Sequence, residues 1–458
     1  MTGFCSFAPR RSIVVPIACL LGCAALSPAQ QTKSVAERYL TADAVKPAIV
    51  ELASDRYEGR GGGYPGEKRA AEYLATRYAE LGLQPAGDRR HGHATYFQEF
   101  SFYPHAPIRP WEQRRSRNVL AFLEGSDPVL KNEIVVIGAH YDGQGRLGQA
   151  DAGPRLPPRE ANSKDDIWNS ANDNLSSCSA ILAIARTITS GGLRPKRSIL
   201  FAAFGAEEHE IAGSIFYVNH PPFELSRHVA MMNLECIGKA PEKPLTLSAF
   251  MTGGFWSATM KEANLEMGTH VQANIPVPIP DSDHYPFASA RIAAIVLSGQ
   301  TDAERHRPTD TADRIDFART AEAARFALSM LISLADRPER PRFNQSPMPD
   351  LGMTADLATP AECDALHLGR GQGCLRVTGI LRNRPGEKAG FQIADAMLGY
   401  YTDRAIGPPQ YHAIRRDMKL AELQAIMEAM LRGKFGRQMR ASILRNGQKL
   451  DLVLPITP

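Results

Sequence analysis

The chain of 458 residues contains no C-x-x-C pair, which argues against a zinc site built from paired thiolates. It has seven cysteines, but Cys5, Cys19 and Cys23 fall within the first thirty residues. Of the other four, Cys363 and Cys374 have the spacing of a disulfide that export would permit. Cys178 and Cys236 read as buried free thiols. Charge of one sign is also scarce: a net +4 is too small to make nucleic acid the main partner. Internal repeats and long low-complexity tracts are absent. Beyond the N-terminus no apolar run approaches the ~20 residues needed to cross a bilayer. The Gly-rich stretch "DRYEGRGGGYPG", residues 55–66, follows a helical pattern and lacks the G-K-[ST] ending of a phosphate loop. It reads as a connection near an active-site entrance.

What is present begins with "MTGFCSFAPRRSIVVPIACLLGCAALSPAQQ". Arg10 and Arg11 precede an apolar run from Ile13 to Leu26 and then small residues, the three-part layout of a secretory signal. Ser27 and Ala29 suit cleavage after Ala29, so residues 1–29 are assigned to the signal and the protein to the periplasm or the exterior. The run "LLGC" leaves a second reading open, a lipoprotein signal with lipid on Cys23. Only then would a membrane anchor the protein. A composition of 43% hydrophobic and 22% charged residues fits a globular protein with a real core.

The segments "AERYLTADAVKPAIVELAS" and "GEKRAAEYLATRYAELGL" carry apolar residues at three- and four-residue spacing, the mark of helices. Apolar runs then alternate with helical patterns. "NEIVVIGAHYDG", "RSILFAAFGAEE", "HVAMMNLECIG" and "RIAAIVLSG" read as strands, and "SSCSAILAIARTITSG" and "DFARTAEAARFALSMLISLAD" as helices. The fold class is therefore α/β, with a mostly parallel or mixed central sheet flanked by helices. Sites in such sheets form beyond the carboxyl ends of the strands. The catalytic unit is expected over residues 30–337. A Pro- and Arg-rich linker follows over 338–350, and then a small α+β unit over 345–458. That unit shows a strand at "GCLRVTGIL", a helix at "MKLAELQAIMEAMLRG" and a hairpin about Asn446-Gly447.

Four of these strands end in acid, histidine or amide residues. Taken as a set, His140, Asp142, Asp173, Glu207, Glu208, Glu235 and His306 offer two histidines and five carboxylates. Nitrogen and oxygen donors without sulfur suit zinc, most naturally a pair of ions ~3.5–4 Å apart. Singly, each residue has a plainer reading. Asp173 suits a helix N-cap, and His140 and His306 suit ordinary hydrogen-bonded or surface histidines. Glu235 is harder to dismiss, because a carboxylate inside an apolar strand is costly without a partner.

In order and spacing, "GAHYDG", "NDNLSS", "FGAEEHEIAGS", "MMNLECIG", "SDHYPF" and "HRPTDT" resemble the exported di-zinc aminopeptidase family over residues 40–335. That family also holds glutamate carboxypeptidases and glutaminyl cyclases. The resemblance implies a zinc-exopeptidase fold that removes N-terminal residues from peptide substrates with two Zn2+ per chain. His140 and Glu235 would hold one ion, Glu208 and His306 the other, and Asp173 would bridge them. Glu207 would be the general base, Asp142 would orient His140, and Asp283, His284 and Asp310 would support the site. The chain departs from the family in having Glu235 where aspartate is usual, and in lacking a tyrosine in "ANIPVPIP", which leaves the oxyanion donor unassigned. The C-terminal unit resembles a bacterial PDZ domain, with "PDLGMT" as its carboxylate-binding loop. Leu351, Gly352 and Met353 would then receive a peptide C-terminus. A carboxypeptidase, a glutaminyl cyclase and a catalytically silent peptide-binding protein remain the alternatives.

Overall fold

Ile134–His140 has no polar side chain before its histidine, and all seven residues are buried. A strand with no polar alternation must be covered on both faces. The computed structural model shows how the chain does this. It describes residues 27–104, 113–147, 165–299, 303–344, 351–402, 410–418, 422 and 438–455.

The principal strands of the larger sheet are β1 (Phe97–Phe102), β2 (Arg114–Leu123), β3 (Ile134–His140), β4 (Ser198–Phe204), β5 (His228–Glu235), β6 (Thr246–Ser248) and β7 (Ala293–Ser298). Their spatial order is β1-β2-β4-β3-β5-β7-β6. The centre, β4-β3-β5-β7, is parallel, while β1, β2 and β6 run antiparallel at the flanks. The sheet is thus mixed. Its register sets His140 beside Phe204 and Glu235 beside Ser298, so the carboxyl ends of the parallel strands lie together.

Alternate residues of β3 face opposite cores. Val135, Ile137 and Ala139 pack with α1 (Pro28–Tyr39), α2 (Ala42–Leu52), α3 (Pro65–Glu80) and α4 (Ser176–Ser190). Ile134 and Val136 pack with Ile215 and Tyr217 of α5 (Ala212–Asn219). Farther along the chain, α6 (Trp256–Met267) and α8 (Phe317–Asp336) join the first face, and α7 (His284–Ser289) joins the second. Asp316 caps α8 by accepting from the Arg319 amide. Phe326 is wholly buried on α8, and truncation to alanine there is expected to cost about 3–5 kcal/mol. Among the described residues, no helix is long and apolar enough to cross a membrane. Cys23 and the core of the expected signal lie outside the described residues. The expected cleavage point after Ala29 falls in the first turn of α1.

The Gly-rich segment is a brace. Arg60 is wholly buried and donates to the carbonyls of Leu52, Tyr141, Asn169 and Ser170. It therefore ties the end of β3 to the loop ahead of α4. Gly59 makes this possible at φ +66°, where an added Cβ would sit 2.2 Å from the Gly145 carbonyl oxygen.

The C-terminal unit is an antiparallel sheet of β8 (Met353–Leu357), β9 (Leu375–Ile380), β10 (Ala396–Thr402), β11 (Gln410–Ala413), β12 (Gln438–Arg445) and β13 (Gln448–Pro455). The order is β8-β9-β10-β12-β13, with β11 on β10. Asn446 and Gly447 both take positive φ, as a two-residue hairpin needs. The unit touches the larger one at α5, where Asn219 donates to the Ile380 carbonyl at 2.8 Å and accepts from the Arg382 amide at 2.9 Å. The helix expected over 418–433 falls almost wholly outside the described residues. One expectation is corrected here: Cys363 and Cys374 are not bonded. Both are free thiols buried in a small apolar cluster with Leu398. Burial, reinforced by Cys363 beside it, pushes the Cys374 thiol well above its ordinary range, so it stays protonated and unreactive. Cys178 and Cys236 are likewise free and buried.

Candidate metal centre

His140 ends β3 and Glu235 ends β5. Glu207 and Glu208 stand in the turn after β4, Asp173 just ahead of α4, and His306 in the loop between β7 and α8. The fold brings all of them to one mouth. His140 Nε2 lies 3.2 Å from Asp173 Oδ1, 3.4 Å from Glu235 Oε1 and 3.7 Å from Glu207 Oε2. His306 Nε2 lies 3.0 Å from Asp173 Oδ2 and 3.3 Å from Glu208 Oε2. Asp173 thus turns one oxygen to each histidine and is common to two donor groups, His140–Asp173–Glu235 and Asp173–Glu208–His306.

These separations fit zinc. Two donors each 2.0–2.1 Å from a tetrahedral ion stand about 3.3 Å apart, and the four histidine–carboxylate spacings within those two groups run from 3.0 to 3.4 Å. Among the described residues, Asp173 Oδ1, Glu208 Oε1 and His306 Nε2 are buried without a well-angled hydrogen bond. Buried polar atoms of this kind fit donors turned toward a shared ion.

The electrostatics divide the carboxylates into two kinds. Burial raises Asp173, but Arg305, His140 and His306 outweigh it and hold the group well below the ordinary range. Burial also raises Glu208, and His306 more than offsets it. The histidines respond in kind. Burial opposes charging His306, yet Glu208 and Asp173 carry it up to about 10. Glu207 goes the other way. Burial, backed by Glu235, Asp283 and Glu208, overcomes His140 and pushes it well above the usual carboxylate range. Protonation is thus disfavoured at Asp173 and Glu208 and favoured at Glu207.

Asp142 stands beside the His140 ring, its backbone carbonyl oxygen 3.3 Å and its Oδ1 3.6 Å from Nδ1. It also accepts from the Glu207 amide at 3.0 Å and the Glu208 amide at 3.2 Å, which clamps the turn bearing both glutamates. Four further residues escaped the sequence reading or were underrated by it. Asn174 and Ser282 donate to Glu235 Oε2 at 3.1 and 2.8 Å, so the longer side chain at this position is held by two donors. Arg305 Nε lies 2.8 Å from Asp173 Oδ2. Asp310 accepts from the amides of Asn172 and Asp173 and lies 2.8 Å from Lys239 Nζ, which fixes the backbone under Asp173. The Asp173–Asn174 peptide within this segment is cis. Asn174 and Ser282 adjoin the motif residues Asp173 and Asp283, and that adjacency was the only available signal. Asp283 and His284 are buried beside the cluster, and burial drives His284 down to about 3, leaving it neutral. Leu351, Gly352 and Met353 lie elsewhere, at the start of β8 on the smaller sheet.

Residues 118–331 match the model of peptidase family M28. The M28 match runs from within β2 into α8 and contains every member of the cluster. Aminopeptidase YwaD of Bacillus subtilis is 25% identical over 249 residues, 51% of this chain and 48% of that protein. The probable leucine aminopeptidase 2 of Arthroderma benhamiae is 32% identical over 132 residues, 29% of this chain and 21% of that protein. The chain thus spans half or less of the length of these curated relatives. Among solved structures, the LapA aminopeptidase of Legionella pneumophila superposes with a TM-score of 0.51 at 18% identity, covering 72% of this chain and 79% of that one. BSAP, a zinc aminopeptidase from Bacillus subtilis, gives 0.50 at 18% identity, covering 66% and 96%. The fold is shared with both.

Proposed function

We propose that this chain is an exported zinc aminopeptidase that removes N-terminal residues from peptides and holds two zinc ions. The observation that carries this reading is the convergence of His140, Asp173, Glu208, Glu235 and His306 at tetrahedral spacings, with Glu207 beside them. The aminopeptidase names of the relatives and of the structural neighbours support it.

His140 and Glu235 would hold one ion and Glu208 and His306 the other, with Asp173 shared. Zinc bound there supplies Lewis acidity, which makes water nucleophilic near neutral pH and polarises a peptide carbonyl. The proton traffic falls to Glu207. Its burial among other acids favours the protonated form, so it can take a proton from attacking water and keep it until the leaving amine nitrogen accepts it. Asp142 holds the Glu207 amide and thereby fixes where that carboxyl stands. Export rests on the N-terminal signal pattern. The C-terminal sheet is read as PDZ-like, with Leu351, Gly352 and Met353 at the entrance to β8, an edge strand that is able to receive a peptide C-terminus.

A panel of chromogenic amino-acid amides, assayed with and without chelator, tests the activity. Chelator-sensitive hydrolysis of free-amine substrates is expected, with none of their N-blocked forms. Cleavage confined to N-blocked peptides with a free C-terminus would instead mark a carboxypeptidase. No turnover, with Glu207→Gln indistinguishable from the parent, would leave a binding protein.

A further inference from the structure

A cavity of about 230 Å3 opens beside the cluster, and Glu235, Ser248, Asn274, His284, Ser298 and Arg305 are among the residues lining it. Pockets for drug-sized ligands run to roughly 300–1,000 Å3, so this one suits a single amino-acid side chain. It adjoins the metal donors directly, since Glu235 belongs to its wall and Arg305 immediately precedes His306. Its polar wall is also incompletely engaged: His284 is 1% exposed, yet neither ring nitrogen has a hydrogen bond among the described residues.

We propose that this cavity receives the side chain of the substrate's N-terminal residue, and that Arg305 selects a carboxylate there, so that N-terminal glutamate or aspartate is preferred. This rests on the aminopeptidase reading and deepens it. Arg305 Nε lies 2.8 Å from Asp173 Oδ2, and its Nη2 lies 3.6 Å from Glu235 Oε1. Both carboxylates belong to the proposed zinc donor set. A carboxylate shared with a dication has little attraction left for a guanidinium, and the dication itself repels one. Arginine does not discharge at working pH, and the Arg305 side chain is 34% exposed, so it is left with water or another anion to engage. The cavity it lines is where one fits, and the planar guanidinium matches a carboxylate with two parallel hydrogen bonds. Among the described residues of the wall, Arg305 carries the only fixed positive charge. Two carboxylates of the wall would favour a basic side chain: Glu235, which belongs to the proposed zinc donor set, and Asp281, whose side chain is 54% exposed and screened by water.

The test compares glutamyl, glutaminyl, leucyl and arginyl 4-nitroanilides with the zinc-loaded full chain, its Arg305→Met variant and its Arg305→Lys variant. The glutamyl-to-glutaminyl ratio of kcat/KM is expected to be tenfold or more in the parent and near one in Arg305→Met. Arg305→Lys should keep part of it. Each ratio is read within one protein, so any change in metal content cancels. Calorimetric binding of free L-glutamate against L-glutamine gives a readout independent of turnover. Glutamate should bind tighter, and Arg305→Met should erase the difference. Leucyl or arginyl preference, with a ratio that Arg305→Met leaves unmoved, would overturn the inference while the aminopeptidase reading stands. If no amide is hydrolysed, the aminopeptidase reading fails. Selective glutamate binding would then still support the Arg305 pocket, and equal binding of the two amino acids would overturn it.

Discussion

Asp310 offers a sharp test of how the site is built, because it touches no proposed ligand atom and yet fixes the backbone that carries Asp173. Its carboxylate accepts from the amides of Asn172 and Asp173 at 3.0–3.1 Å and pairs with Lys239 at 2.8 Å, and the residue is 1% exposed. Asp310→Ala removes all of these at once. Breaking a buried charge pair by deleting one partner costs about 3–5 kcal/mol, and each buried amide left without an acceptor costs about 1–3 kcal/mol. Lys239 keeps Glu304 at 2.7 Å, so part of the loss is relieved and a total of about 3–5 kcal/mol is expected. Zinc affinity should fall roughly 10- to 100-fold, as it does when groups supporting metal ligands are removed. Asp310→Asn retains one acceptor oxygen and should recover part of both losses. Urea unfolding at fixed zinc reads the first quantity, and chelator competition reads the second. A stability loss under about 1 kcal/mol with unchanged zinc affinity would show that something else fixes residues 172 and 173.

Three further outcomes follow from the same geometry. Glu67 is buried, accepting from Ser116 Oγ and the Gly63 amide, and burial together with Asp142 pushes it up to about 8. Its folded value lies above its unfolded one, so the fold favours the protonated form. Stability is therefore full below about 4.5 and declines as pH rises to about 8. At about 1.4 kcal/mol per pH unit the decline is at most about 5 kcal/mol, and Glu67→Gln should flatten it. Parallel stability curves for the two proteins between pH 5 and 8 would refute the assignment. Glu207→Gln should retain its zinc and lose about 10²–10⁴ in kcat, whereas a loss under tenfold would move the proton transfer to another group. Thiol titration of unreduced, denatured residues 30–458 should count Cys178, Cys236, Cys363 and Cys374 as free; two missing thiols would restore the Cys363–Cys374 disulfide.

Much of the fold was legible because its signal is local. The runs at 134–140, 198–204 and 228–235 lack polar alternation, and that alone demands a parallel sheet covered on both faces. Strand β1 was not legible: "FQEFSF" alternates weakly and is defined by its pairing with β2. The cluster could be read from residue types at strand ends, since a sheet gathers its carboxyl ends whatever their distance in sequence. Its supports could not. Asp310 lies 137 residues from the Asp173 amide it holds, and Arg305 lies 132 residues from the carboxylate it touches. Contacts of that span leave no periodicity, and "ERHRPTDT" alone looks like a charged loop. The two cysteines failed for the opposite reason. Their spacing in sequence allowed a bond that the structure does not make.

The most direct measurement is zinc content by mass spectrometry of purified full-length protein, supplied with zinc and dialysed. About two zinc ions per chain are expected, falling to about one in Glu208→Ala and to near none in Asp173→Ala, because both donor groups share Asp173. A chain that retains no zinc, or an Asp173→Ala variant that still holds two ions, would contradict a metal pair gathered around that one aspartate.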